Sequence, residues 1–137
     1  MIHYVLDACA LIALLQNEQG AGIVVSAFSE ASNGSAVITM NKTNLLEVYY
    51  DAYRFRGKDS ADLMISAFRK TPVCVNAELS DRIFYEAGRL KATYRTSLAD
   101  SFALAQAIVD NGRLLTSDHH EFDVIEGKEP IVFQWIR

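Results

Sequence analysis

An α/β fold with a mostly parallel central sheet is what this sequence predicts, and three observations carry the prediction. Short β-type runs alternate with longer helical segments from one end of the 137-residue chain to the other. Turn and stop residues separate the segments, among them Gly57, Pro72 and the run Asp110-Asn111-Gly112. Half of the residues are hydrophobic, enough to cover such a sheet on both faces. No linker, internal repeat or low-complexity stretch divides the chain, so residues 1–137 are expected to form a single domain.

The elements follow in order. "HYVLD" is a short strand-like run and "ACALIALLQNE" is helical. Gly20 and Gly22 open a second helix that continues to about Ser32. "NGSAVITM" reads as a turn and a Val/Ile/Thr strand, and "NKTNLLEVYYDAYRFRG" as a helix stopped by Gly57. "KDSADLMISAFRK" is another helix, blocked by Pro72, and "PVCVN" is a third strand. The long "ELSDRIFYEAGRLKATYR" and "SLADSFALAQAIVDNG" are helical. "RLLTSD" is a fourth strand, and "PIVFQWI" a fifth after a short helical piece.

Several classes fall away on composition. No apolar run reaches the roughly 18–20 residues of a membrane span, and Met1 to Leu15 lacks the basic leader and cleavage site of a signal peptide. Cys9 and Cys74 lie in apolar stretches without C-x-x-C spacing, so both are expected to be buried free thiols in a reducing, cytoplasmic setting. Net charge is −4, but it is unevenly spread. Between Lys42 and Arg95 there are ten basic and seven acidic residues, while the remaining segments hold three basic and ten acidic ones. An acidic cluster beside a basic region suits a metal site next to a phosphate-binding surface; solvated helix faces explain the charge map equally well.

The carboxylates narrow the choice. Ligands of open α/β sheets bind at the carboxyl ends of the strands. Asp7 ends the first strand-like run, Asp118 ends "RLLTSD", and Asp100 lies in the first turn of the helix leading into that strand. Glu47 lies in the first half of the helix that follows "AVITM". Four acidic side chains from four segments would then meet at one edge. Such a group repels itself unless a cation sits within it. Mg²⁺ or Mn²⁺ resolves the conflict with oxygen ligands and retained waters, and supports phosphodiester hydrolysis.

Each residue also has a plain structural reading. Asp7 fits a helix N-cap, and Ser97-Leu98-Ala99-Asp100 and Asp118-His119-His120-Glu121 both fit a capping box. A helical wheel sets Glu47 opposite an apolar centre of Leu45, Leu46, Tyr49 and Tyr53, which predicts a solvated side chain. His119 and His120 lack a nearby cysteine and any H-E-x-x-H or H-x₃₋₅-H spacing, so zinc is set aside.

Taken together, "YVLDACALIALL", "NLLEVYYDAY", "SLADSFALAQAI" and "RLLTSDHHEF" resemble the PIN-domain ribonucleases, above all the VapC-like toxins of toxin–antitoxin pairs. The resemblance spans essentially the whole chain, including "IVFQWIR". It implies a three-layer α/β/α sandwich with about five strands, Mg²⁺- or Mn²⁺-dependent cleavage of RNA, a homodimer, and inhibition by a small antitoxin. By correspondence Asp7, Glu47, Asp100 and Asp118 take the catalytic acidic positions, with Asp7, Asp100 and Asp118 holding the metal. Thr116 matches the hydroxyl residue two places before the last aspartate; Glu121 matches a further acidic position, with Asp123 as its rival. The expected products are a 5′-phosphate and a 3′-hydroxyl, with water as the nucleophile. Arg54, Arg56 and Lys58, at the end of the Glu47 helix, are candidate contacts to the RNA backbone.

Two other classes compete. A non-catalytic PIN-like module would bind RNA or protein without cutting, though an intact acidic set has no purpose there. A receiver-type phosphoacceptor wants an adjacent acidic pair at the first strand, where this chain has Leu6-Asp7, and a late lysine at a strand end, which Lys128 does not supply.

Overall fold

The computed structural model describes residues 1–137. Five strands form one sheet: β1 (Ile2–Leu6), β2 (Ala36–Asn41), β3 (Val73–Asn76), β4 (Arg113–Thr116) and β5 (Val132–Trp135). Their spatial order is β3-β2-β1-β4-β5, and every neighbouring pair is parallel. The expectation of a mostly parallel sheet thus becomes a wholly parallel one. Parallel strands need crossovers, and the intervening helices provide them: α1 (Ala8–Leu15), α2 (Ala21–Ser32), α3 (Lys42–Arg56), α4 (Lys58–Phe68), α5 (Asp81–Thr93), α6 (Leu98–Asp110) and the short α7 (His119–Phe122). None is long and apolar enough to cross a membrane.

Alternation along the strands splits the core into two layers. Tyr4 and Leu6 of β1 and Leu115 of β4 face one side, where they meet α1, α2, Leu45 and Val48 of α3, and Phe68 of α4. Val5 and Leu114 face the other side, against Ile83 and Leu90 of α5, Leu104 of α6, Phe122 and Ile125. Full burial of each such aliphatic side chain contributes about 1.5–3 kcal/mol, so the sheet is clamped from both faces. Gly57 ends α3 and begins α4 at φ +88°, a conformation that a side chain would oppose.

Two expectations fail at the periphery. Cys74 is exposed rather than buried, because β3 is the edge strand and its outer positions lie open. On α3 the buried face is Asn44, Leu45 and Val48, while Leu46 and Tyr53 are exposed. The helical wheel misplaced the centre because the packed face of α3 includes a polar residue, Asn44, which donates from Nδ2 to the Ala99 carbonyl of the next-layer helix α6 at 2.9 Å.

Candidate active site

The chain leaves β1 toward β2 and β3, then returns to lay β4 on the other flank of β1. The carboxyl ends of β1 and β4 therefore flank the point where the winding reverses, the place where open α/β sheets form a ligand crevice. Asp7 is the first residue past β1, and its backbone N–H donates to Leu115 O at 3.4 Å. Its side chain is 2% exposed, and Oδ1 accepts from Ala10 N at 2.8 Å as the N-cap of α1. Asp118 follows β4 and caps α7, accepting from Glu121 N at 3.2 Å. The capping readings of Asp7 and Asp118 thus hold. Each cap bond uses Oδ1 and leaves the second oxygen to other partners.

Asp100 is the capped residue of α6, whose N-cap is Ser97: Asp100 N donates to Ser97 Oγ at 3.1 Å. Asn41 caps α3, which brings the first turns of that helix to the same edge. Glu47 is half-buried there rather than solvated, contrary to the wheel. Thr116 is fully buried at the end of β4. Its Oγ1 accepts from Asp118 N at 3.0 Å, and its hydroxyl lies near enough to the Asp7 carboxyl to oppose the rise of its pKa.

Electrostatics show how these groups sense one another. Burial pushes the Asp7 carboxyl up to about 7, against the pull of Thr116 and Ala10, and the charges of Asp100 and Asp118 add to the rise. Asp100 is likewise pushed up to about 7, first by burial and then by Asp118, Glu47 and Glu121, with Ser97 opposing. Glu47 is raised by burial, Asp118 and Asp51. No lysine, arginine or histidine lies within ion-pair distance of Asp7, Glu47, Asp100, Asp118 or Glu121. Of the two rival acidic residues, Glu121 influences Asp100, whereas Asp123 is engaged by His119 at 2.8 Å.

Sequence reasoning missed Cys9. It is half-buried, and its thiol is pushed up by burial and by Asp7, Asp118, Asp100 and Glu47 together. A thiol so disfavoured as thiolate is a poor nucleophile. Its position two residues after Asp7, in the first turn of α1, was the available signal. Asn44 was missed as well; its Oδ1 is buried without a hydrogen-bond partner, and its Nδ2 holds the carbonyl of the residue before Asp100.

The basic residues end elsewhere. Arg56 is nine positions past Glu47, about 13 Å along the helix axis at 1.5 Å per residue. Arg54 lies over the Tyr50 ring at 5.5 Å, and Lys58 is bound to Asp62 at 2.6 Å. The structure does not gather these three with the carboxylates. A groove of roughly 490 Å³, with Leu15, Phe55 and Leu63 among its walls, likewise contains none of the four carboxylates.

A divalent cation fits the donor set on these observations. All candidate ligands are hard oxygens with no competing cation, and a buried amide oxygen, Asn44 Oδ1, waits unpartnered beside α6. As the side chains stand, no three of them are close enough together to ligate one ion. Ligation by three of them would require the side chains to draw together, or retained waters of the ion to bridge the remaining gaps.

Comparison with known proteins agrees with this fold. The sequence profile of the PIN domain matches residues 4–128. The chain belongs to the PIN-domain family. No curated protein matches the sequence. Among solved structures, VapBC-1 from nontypeable Haemophilus influenzae superposes on this PIN domain with a TM-score of 0.75 at 18% identity, covering 98% of each chain. VapBC2 from Rickettsia felis, bound to a promoter DNA fragment, gives 0.73 at 16% identity, again over 98% of each chain. VapC20 of Mycobacterium tuberculosis, described as a toxin that cleaves the sarcin–ricin loop, gives 0.63 at 15%, covering 90% of this chain and 95% of its own. At such identities the likeness is one of fold.

Proposed function

We propose that this PIN domain is a Mg²⁺- or Mn²⁺-dependent endoribonuclease and the toxin of a toxin–antitoxin pair. What supports the reading is that Asp7, Glu47, Asp100 and Asp118 lie around the sheet's switch point, near enough for their charges to raise one another's carboxyls, with no ion-pair partner for any of them. Family membership and the toxin–antitoxin complexes among its structural neighbours support it.

In this reading Asp7, Asp100 and Asp118 would draw together on the cation or hold it through its retained waters, and Glu47 would reach it directly or through water. When bound, the cation neutralises the pocket and polarises both the attacking water and the leaving oxygen. Thr116 would steady Asp118 through the Asp118 backbone N–H and lend its hydroxyl to the Asp7 carboxylate. Ser97 orients Asp100, and Glu121 extends the acidic rim toward it. No protein nucleophile takes part, since the Cys9 thiol is held protonated by its surroundings. RNA running from the pocket along α3 would meet Arg54 and Arg56. The apolar groove walled by Leu15, Phe55 and Leu63 would seat a segment of the antitoxin, and the active form would be a homodimer in the cytoplasm.

Incubating the purified chain with single-stranded RNA tests the reading. Cleavage should require Mg²⁺ or Mn²⁺, cease in EDTA and leave 5′-phosphate ends. RNA that is bound but never cut under any of these conditions would make the protein a binding module instead. A short neighbouring reading frame encoding a DNA-binding protein would support the antitoxin half of the proposal, and light scattering checks the dimer.

A further inference from the structure

Beside the carboxylates stands a group of rings that the proposed reaction leaves unused. Phe133 and Trp135 stack on one face of β5, with centroids 5.5 Å apart and planes 12° apart. His119, the first residue of α7, lays its imidazole over Trp135 at 3.8 Å and 13°. At the inner end, fully buried Phe122 meets Phe133 at 5.7 Å. The rings form a column rooted in the core and ending in His119.

That last ring is held from its edges. Nδ1 faces Asp123 Oδ1 at 2.8 Å and Nε2 faces the Arg137 carbonyl at 2.8 Å, while Trp135 beneath it is fixed by its Nε1 bond to Glu126 at 2.9 Å. The His119 side chain nevertheless remains 47% exposed. One face rests on Trp135 and both nitrogens are engaged, so the exposure belongs mainly to the opposite face. The position is equally specific. Trp135 is in register with Thr116, so the two backbones lie about one strand spacing, ~4.8 Å, apart at the residue whose hydroxyl accepts from Asp118 N. His119 directly follows Asp118 in the chain.

A flat ring already immobilised loses little conformational freedom when something stacks on it. Phosphate is a poor occupant, because Asp123 and Glu126 make the surroundings acidic. A neutral base face tolerates that field, and single-stranded nucleic acids are commonly held by bases stacked on aromatic side chains. We infer that the outer face of His119 is a stacking platform for one unpaired base of the RNA, beside the carboxylate pocket. The inference rests on the ribonuclease reading. Both ring nitrogens face oxygen acceptors, which the ring satisfies together as the imidazolium; with its edges so occupied the platform offers no hydrogen bond by which to choose a base, so it is tolerant of sequence.

The test uses the full chain carrying Asp100→Asn, so that RNA survives binding, and unstructured oligonucleotides of about eight residues made abasic at each position in turn. Loss of one particular base should weaken binding about tenfold, within the range for stacked bases. Adding His119→Ala should weaken binding of intact RNA by the same factor and abolish the effect of that abasic position. His119→Phe should restore both. Melting and the fluorescence of Trp135, the one tryptophan, verify that each variant folds; His119→Asn, polar but ringless, replaces the alanine variant if that one does not. The platform is overturned if no position is sensitive, if the abasic penalty survives in the ringless variant, or if His119→Phe binds as weakly as it. Cleavage by the chain with native Asp100 is scored separately. Failure to cut RNA in Mg²⁺ defeats the nuclease reading, whereas an unchanged KM for RNA in His119→Ala with cutting intact defeats only the platform.

Discussion

Glu129 and Asp7 are both carboxylates withdrawn from water, with exposures of 7% for the Glu129 side chain and 2% for Asp7, yet their surroundings move them in opposite directions. Glu129 receives a two-pronged hydrogen bond from Arg89, at 2.7 and 3.2 Å, and another from the Tyr94 hydroxyl at 2.8 Å. Those donors hold its carboxyl below the usual range. Asp7 accepts from one backbone N–H, has the Thr116 hydroxyl and the charges of two more aspartates in its surroundings, and is pushed up to about 7. The chain therefore supplies a cation to a buried carboxylate where the role is to fasten α5 to the loop before β5. At the switch point it supplies none, which is the contrast on which the proposed cation site rests.

The largest effect expected from this contrast is on activity. Asp7→Asn and Asp100→Asn keep the size of each side chain and remove the charge that balances a cation, so RNA cleavage should fall about 10³-fold or more. Glu129→Gln should leave kcat within about twofold. Equal losses in all three, measured at saturating Mn²⁺, would erase the distinction between the two regions.

Next comes Arg89→Met, which strands Glu129. Removing one partner of a fully buried pair costs roughly 3–5 kcal/mol; here the guanidinium keeps solvent contact, so about 2 kcal/mol is expected from denaturant unfolding. Metal-dependent cleavage per folded molecule should not change.

The pH dependence of the metal-free protein should separate the regions again. Asp7 and Asp100 rise from an ordinary 3.8 to about 7 on folding. The folded state then binds more protons than the unfolded one, so their contribution is fully present below about pH 4 and is lost as pH climbs through 7. Glu129, lowered by Arg89, works in reverse and gives up its contribution only as pH falls into the acid range. Melting in EDTA should therefore show stability declining from pH 5 to pH 8, and saturating Mn²⁺ should remove most of that decline. Asp7→Asn should flatten it too, with a gain of about 1 kcal/mol at pH 8, because asparagine still caps α1. Asp7→Ala, which loses the cap, should forfeit that gain. A metal-free protein that becomes more stable toward pH 8 would contradict the account.

What the sequence disclosed divides along the same line. Strands and helices were legible because apolar runs, Gly57, Pro72 and the Asp110–Gly112 turn are local signals. The carboxylates were legible only as strand-end and helix-start positions, which the topology sets along one edge of the sheet. Contacts made by distant side chains were not. Arg89 and Glu129 are 40 residues apart and carry no mutual pattern. The Gln106 amide, which links Asn41, Asn76 and Asp110 behind the sheet, sits in an apparently apolar helix. The α3 wheel failed for the same reason: Asn44 is buried because α6 offers it a carbonyl, and hydrophobicity cannot register that.

The smallest expected effect concerns the basic end of α3, where the contrast is between free and occupied cations. Phosphate contacts release counterions, and each lost contact to a single strand should reduce the salt slope of RNA affinity by roughly 0.7. Arg54 and Arg56 are exposed and make no ion pair with a carboxylate, so charge reversal at either should lower the slope by about that amount if RNA follows α3 away from the pocket. Lys58 is already held by Asp62, whose other oxygen accepts from Tyr49. Its reversal should alter the slope less, and Asp62→Asn, which frees the ammonium, should raise the slope in the opposite sense. Titrations of the Asp100→Asn chain at several salt concentrations measure all four. Equal slopes throughout would take RNA off this helix and leave Arg54 and Arg56 as solvated surface, with the carboxylate pocket unaffected.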